Sequence, residues 1–259
     1  MGTARDLELI SYDGVVLDAR EWLPDEDPAA WCLLVHGIGG EKTEDARYER
    51  LASRLAEHGR ASLAFSFRGH GASEGSASSV TIASEMTDLL SAINYVRTRT
   101  SDYAIVAASF GAVSTLALLR SLSNQLPRRL VLWNPVLDLR DTFLEPTLPW
   151  GVETFGAENI RKAELTGTLQ LASLGPLPYV LFAEMTRYQP WADFAQLDIP
   201  TLVAHGDADQ TVSFEVAERV AASRASARML RIEGAEHGFS RPDEDQILAA
   251  STLSFLLDE

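Results

Sequence analysis

The chain is poor in cysteine, in basic residues and in long apolar runs. Among 259 residues there is one cysteine, Cys32, and it stands in an apolar run. No internal disulfide can form, and the core must hold without covalent staples, as in a reducing compartment. Lysine and arginine number 22 against 37 aspartates and glutamates, leaving a net charge of −15. Such a balance repels nucleic acid and anionic membrane surfaces. No apolar stretch approaches the roughly 20 residues that span a bilayer. The opening Met-Gly-Thr-Ala-Arg-Asp has no apolar core of signal-peptide length behind it. No internal repeat, no low-complexity segment and no His/Cys/Asp cluster at metal-ligand spacing occurs. These absences predict a cytoplasmic protein with no metal, no cofactor, no nucleic-acid partner and no membrane partner.

What is present is an ordinary globular composition, 46% hydrophobic and 23% charged, in short apolar runs alternating with amphipathic stretches. Leu7–Tyr12 and Val15–Trp22 read as strands joined at Asp13-Gly14, a tight-hairpin signal. Trp31–Val35, Ala61–Phe67, Tyr103–Ala108, Arg129–Trp133, Thr201–Ala204 and Ala227–Ile232 read as further strands, the central ones buried on both faces. Between them lie predicted helices over 44–59 (Thr43 as cap, Gly59 as stop), 81–100, 110–122 and 214–222, with a last one near 243–257. Strands alternating with helices predict an α/β fold: a mostly parallel twisted sheet with right-handed crossovers, helices on both faces, and the hairpin as an antiparallel edge.

One region breaks this rhythm. Residues 134–199 are rich in proline and in large apolar side chains, among them Phe143, Trp150, Phe155, Tyr188 and Trp191. The stretch is too long for a plain connection. It predicts a cap inserted over the carboxyl edge of the sheet, dividing the chain into a core of 1–133 plus 200–259 and a cap of 134–199. The plainer alternative is extra helix packing.

The strand-to-helix join at Ala107-Ala-Ser109-Phe-Gly111 carries the chemistry. A strand turning at once into a helix tolerates only small neighbours. It thrusts the serine outward and aims the next backbone N–H groups at any developing negative charge. A serine before a helix is also an ordinary N-cap, so the join needs partners elsewhere to be a site. A serine nucleophile needs a base, and the base a third group to orient it. Of five histidines, His58 suits the C-terminus of its helix, and His36 and His70 sit in glycine-rich loops. His205 follows a strand and holds a loop, while His237 follows the last strand at the edge where Ser109 lies. His237 is the candidate base. His205-Gly-Asp207-Ala-Asp209 offers two candidate orienting acids, with Asp209 favoured because Asp207 is placed to cap the turn. The N–H groups of Phe110 and of Ile38, in His36-Gly-Ile-Gly, are the candidate oxyanion donors.

With these residues in order, the chain resembles the α/β-hydrolase superfamily. His36-Gly37 is similar to its oxyanion loop, and Phe67-Arg-Gly-His-Gly-Ala-Ser73 to its D-x-R-G-x-G-x-S segment. His205–Val212 resembles H-G-x-x-D-x-x-V. Gly234-Ala-Glu-His237-Gly-Phe resembles the histidine loop of small-capped cinnamoyl and feruloyl esterases and related acyl hydrolases or thioesterases. The sequence departs from the pattern at Ala107 (for glycine), at Phe110 (for a polar residue) and at Ser66 (for aspartate).

The resemblance implies a serine esterase or thioesterase working through Ser109, His237 and Asp209 on a small acyl substrate. The rivals are an acyltransferase or acyl-eliminating lyase of the same fold, and a non-catalytic ligand-binding scaffold. An aromatic cap implies a hydrophobic or aryl acyl group, with Phe110, Trp150, Tyr188 and Trp191 as the expected pocket residues. Some capped relatives dimerise, so a homodimer is the oligomer to expect.

Overall fold

The computed structural model describes residues 2–122, 125–171 and 175–257. Strands β1 (Thr3–Ile10), β2 (Val16–Leu23), β3 (Ala30–Val35), β4 (Arg60–Phe65), β5 (Tyr103–Ala108) and β6 (Arg129–Trp133) come before the break in rhythm. The pair β7 (Thr168–Leu171) and β8 (Gly175–Pro178) lies within it, and β9 (Thr201–Gly206) and β10 (Ala227–Ile232) follow. The helices are α1 (Arg47–Glu57), α2 (Ile82–Arg97), α3 (Gly111–Ser121), α4 (Pro149–Phe155), α5 (Ala157–Thr166), α6 (Tyr179–Met185), α7 (Pro190–Gln196), α8 (Phe214–Ala221) and α9 (Pro242–Leu257).

Eight strands form one sheet in the order β1-β2-β4-β3-β5-β6-β9-β10. The β1–β2 and β2–β4 pairs are antiparallel and the remaining pairs parallel. The predicted α/β sheet with its antiparallel N-terminal hairpin is therefore the observed one. The turn forms where Asp13-Gly14 places it: Gly14 has φ +89° and its N–H donates to the Ser11 carbonyl. Strands β3, β5 and β9 are buried along their whole length, which explains why they read as unbroken apolar runs. One hydrophobic layer packs α2, α3 and α8 on one face of the sheet, and α1 and α9 cover the other.

Helix α1 differs from expectation. It begins at Arg47, not at residue 44, and Thr43 does not cap it. Glu44, Asp45 and Ala46 all adopt left-handed backbone (φ 43°, 53° and 64°), a conformation costing about 1–2 kcal/mol for each residue that has a Cβ. The turn folds the chain back under the loop that follows β3. Capping reads better at α2, where Thr81 and Ser84 form a reciprocal capping box.

Residues 134–199 fold as a π-turn at Arg140–Leu144, helices α4 to α7 and the antiparallel β7–β8 pair. Phe143, Phe155, Leu181, Phe182 and Met185 make a third apolar cluster, which reaches down to Phe110 and Val113 at the start of α3. At the end of the segment, Phe194 returns to the core of the sheet.

Candidate active site

The turn between β5 and α3 is built around Ser109, whose φ of 48° is left-handed although it has a Cβ. Strain of this kind persists only where the surroundings over-determine it, and here they do. The Ser109 N–H donates to the Trp133 carbonyl (2.8 Å), and the Ser109 carbonyl accepts from Val136 (3.1 Å) and Ala112 (3.2 Å). A Cβ at Gly111 would collide with the His36 backbone, so glycine alone lets α3 start this close to β3. The Ile38 and Phe110 N–H groups have no protein acceptor among the described residues.

Two further loops leave the same edge. The loop after β10 is gripped by Asn134, which directly follows β6: its side-chain amide donates to the His237 carbonyl, and its Oδ1 accepts the Gly206 N–H at 3.0 Å. The guanidinium of Arg47 donates to the Gly238 carbonyl. After β9, Asp209 Oδ1 accepts the backbone N–H groups of Thr211 (2.8 Å) and Val212 (2.9 Å).

The loops meet in one chain of hydrogen bonds. His237 Nδ1 lies 2.7 Å from Asp209 Oδ2, and His237 Nε2 lies 3.0 Å from Ser109 Oγ. A carboxylate cannot donate, so the proton sits on Nδ1 and the Nε2 lone pair faces the serine hydroxyl. Burial works against ionising Asp209, but hydrogen bonds from His205 and His237 outweigh it and hold the carboxyl well below the usual carboxylate range. Asp207 lies apart, accepting from the Gly234 N–H (2.6 Å) and pairing with Arg231 (2.6 Å).

His36 has a supporting place. Its Nε2 accepts the Phe67 N–H at 2.9 Å, so the proton is on Nδ1 and goes to the Gly37 carbonyl at 2.7 Å. Burial pushes its pKa down to about 3, which keeps the ring neutral while it braces the loop carrying Ile38. Ser66, where the resembled motif has aspartate, accepts the Lys42 N–H and the Ser73 hydroxyl through its Oγ and carbonyl respectively, tying two loops together.

Ser109 and His237 open into a cavity of about 290 Å³ whose apolar wall includes Ile38, Val136, Phe143 and Trp150. Of the aromatic residues expected in the pocket, only Trp150 lines this cavity. The Phe110 ring is buried and packs edge-on against Phe143 at 5.6 Å, behind the wall. Tyr188 and Trp191 line a different cavity of about 270 Å³, beside Asp138 and Met185. Helical backbone after Ser109 turns Phe110 inward. Tyr188 precedes α7 and Trp191 stands in its first turn, and both face that second cavity.

Asn134, Glu44 and Arg47 escaped the sequence reading. For Asn134 the signal was available in part: asparagine tolerates left-handed backbone better than most residues, and its φ is 40° even though the proline after it favours extended backbone. Glu44 and Arg47 read as one face of a regular helix, and only the left-handed turn brings them to the cavity. Glu44 sits against the Gly37–Gly40 loop with Oε2 buried and unpartnered, and burial raises its pKa. Among the described residues no group of three or more His, Cys, Asp or Glu could hold a metal ion, and no helix is long and apolar enough to cross a membrane.

Comparison with known proteins gives the family and the fold. Residues 26–241 match the profile of the family described as "Serine aminopeptidase, S33". Est1E of Butyrivibrio proteoclasticus, solved with ferulic acid bound, superposes with a TM-score of 0.82 at 20% identity, over 96% of this chain and 98% of that one. A monoacylglycerol lipase of Paleococcus ferrophilus gives a TM-score of 0.73 at 18% identity, over 93% and 98%. At these identities the likeness is one of fold. An uncharacterized abhydrolase domain-containing protein of Dictyostelium discoideum is 40% identical over 67 residues, which are 26% of this chain and 7% of that protein. The match thus spans a small part of that relative's length.

Proposed function

Because the chain belongs to the serine aminopeptidase (S33) family and has the α/β-hydrolase fold, we propose that it is a serine hydrolase of carboxylic esters or thioesters. The observation that carries this reading is the unbroken chain from Asp209 through His237 to Ser109, at 2.7 and 3.0 Å, on the wall of a cavity.

Ser109 Oγ attacks the acyl carbonyl while its proton passes to His237 Nε2. The oxyanion forms opposite the unpaired N–H groups of Ile38 and Phe110, which need no reorganisation to receive it. Asp209 stabilises the imidazolium. The tetrahedral species then collapses: its bond to the alcohol or thiol breaks, and His237 returns the proton to that leaving group. Water attacks the acyl-serine with His237 again as base, releasing the acid and restoring Ser109.

The aromatic wall of Phe143 and Trp150 favours a hydrophobic or aryl acyl group, and the ferulic acid held by Est1E supports the same size and chemistry. We read residues 134–199 as a cap, since they supply that wall and share an apolar cluster with the start of α3. The single buried, unpaired cysteine supports a reducing compartment such as the cytoplasm.

The test is turnover of nitrophenyl esters of graded acyl size by the wild-type protein, Ser109→Ala and His237→Ala. Fluorophosphonate labelling should require both residues. Undiminished turnover by Ser109→Ala overturns the mechanism. Preference for aminoacyl anilides over esters would keep the mechanism and exchange the ester for a peptide-type bond.

A further inference from the structure

His205, near the end of β9, is fully buried and sits beside Asp209, four residues on. Its Nε2 is 3.1 Å from Asp209 Oδ2 and 3.1 Å from the Val212 carbonyl oxygen. Both neighbours are acceptors, so Nε2 must carry the proton; it bonds the Val212 carbonyl and lies against Asp209 Oδ2. That leaves Nδ1 bare, and Nδ1 is indeed buried with no partner among the described residues. A buried nitrogen without a partner costs free energy, so the ring is held in this orientation for what its other nitrogen does.

Asp209 shows what that is. Its Oδ1 is fixed by two backbone N–H groups. Its Oδ2 accepts from His237 Nδ1, and His205 Nε2 lies 3.1 Å from the same oxygen. We propose that His205 is a positioning residue, whose Nε2–H pins the Oδ2 edge of Asp209 toward His237 and takes up part of the carboxylate's charge. This inference rests on the reading of Ser109, His237 and Asp209 as the reacting groups.

The surroundings allow the effect to be isolated. Phe214 packs edge-on to the His205 ring at 5.9 Å. Arg231 lies opposite His205 on β10, but its guanidinium is committed to Asp207 and lies over Phe214. Glu44 and Arg47 face the other end of the system, next to His237 and Gly238. None of these replaces the His205 proton at Asp209.

A donor shared with a carboxylate makes that carboxylate less basic. Withdrawing it leaves His237 alone with a more basic Asp209, which favours the imidazolium. The acidic limb of kcat/KM then moves to higher pH. Freed on one side, the carboxylate also orients His237 less well, which lowers kcat more than it changes KM.

Two amide variants separate position from polarity. His205→Gln reaches Asp209 with an N–H, whereas His205→Asn is a methylene too short. With a nitrophenyl ester as probe, His205→Asn should lose at least about tenfold in kcat and shift its acidic limb up by about half a pH unit. His205→Gln should stay within about threefold of wild type, with an unshifted profile. Equal behaviour of the two variants overturns the proposal.

A measurement on the wild-type protein holds even if the Asn variant fails to fold. Imidazole 15N shifts should show His205 as the Nε2–H tautomer with a slowly exchanging proton, and a proton on Nδ1 would overturn the assignment. Loss of activity in Ser109→Ala with indifferent His205 variants sinks this inference alone. Retained activity in Ser109→Ala sinks the underlying mechanism and the inference with it.

Discussion

Gly37 lies so close to Ser109 that a Cβ built on it would stand 2.9 Å from the Ser109 Cβ and 3.5 Å from its Oγ. Real Cβ atoms do not approach one another this closely, and neither side is free to give. Ser109 is held between Trp133 and Val136, and the Gly37 carbonyl by the His36 ring. Gly37→Ala must therefore displace either the hydroxyl or the loop that carries the Ile38 N–H. A misplacement on the order of 1 Å at reacting groups costs about 100-fold. We expect kcat/KM to fall at least that far while the thermal midpoint moves by only a few degrees. Ester kinetics alongside a melting curve check this, and a near-native rate would show that the loop yields without harm.

The two acids after β9 give a cleaner contrast. Asp209 is bonded to His237, and Asp207 to the Gly234 N–H and Arg231. Asp209→Asn keeps the size of the side chain but presents the wrong hydrogen-bonding group to Nδ1, so kcat should fall by about 10³–10⁴, as in other serine hydrolases of this logic. Asp207→Asn should remain within about fivefold, because it touches the turn and not the imidazole. Equal losses would mean that the geometry of the His237 loop, and not the carboxylate at Nδ1, limits the rate.

The sheet was legible because burial on both faces writes itself into unbroken apolar runs. Trp31–Val35, Tyr103–Ala108 and Arg129–Trp133 fall within or coincide with their observed strands. The reading put Ser109, Asp209 and His237 at the ends of strands on one edge, and there they meet. Side-chain direction was not legible. Phe110 follows Ser109, yet the first turn of α3 rotates it into the core. Tyr188 and Trp191 look the same in sequence as Trp150 but face another cavity, because composition does not encode which way a short helix turns. The left-handed turn at Glu44–Ala46 was invisible for a related reason. No glycine or asparagine marks it, and its strain is held by tertiary contacts such as Arg47 to Gly238.

Glu85 predicts a pH dependence of stability. It is fully buried on α2 and accepts the Ser114 hydroxyl, and burial pushes its pKa up to about 8 with further help from Asp88 and Glu184. The folded state thus binds a proton that the unfolded state releases near the ordinary glutamate pKa of about 4.3. A raised pKa of this kind gives stability that is full below that unfolded value and is lost as pH rises through about 8. Glu85→Gln keeps a neutral side chain of the same shape at every pH. The stability difference between variant and wild type should grow in the variant's favour by a few kcal/mol between pH 5 and pH 9. Urea unfolding at both ends of the range measures it, and parallel curves would show that Glu85 ionises freely in the fold.

Substrate choice should follow the wall of the Ser109 cavity and not the aromatic content of residues 134–199. Trp150 lines that cavity and packs edge-on against Phe155 at 5.1 Å, while Trp191 lines the other cavity and is half exposed. Trp150→Ala removes a large apolar surface from the wall of the Ser109 cavity. It should lower kcat/KM for an aryl or long-chain ester by about 10–200-fold, the range an apolar pocket can discriminate, and for an acetyl ester far less. Trp191→Ala should leave the ratio of the two substrates unchanged. Phe110→Leu should also leave the ratio within about threefold and cost about 1 kcal/mol of stability, because its ring contributes packing against Phe143 and not a contact with substrate. Competition between an acetyl and an aryl ester in one reaction reads the ratio directly. If Trp191→Ala moves that ratio and Trp150→Ala does not, the acyl group occupies the second cavity and not the one beside Ser109.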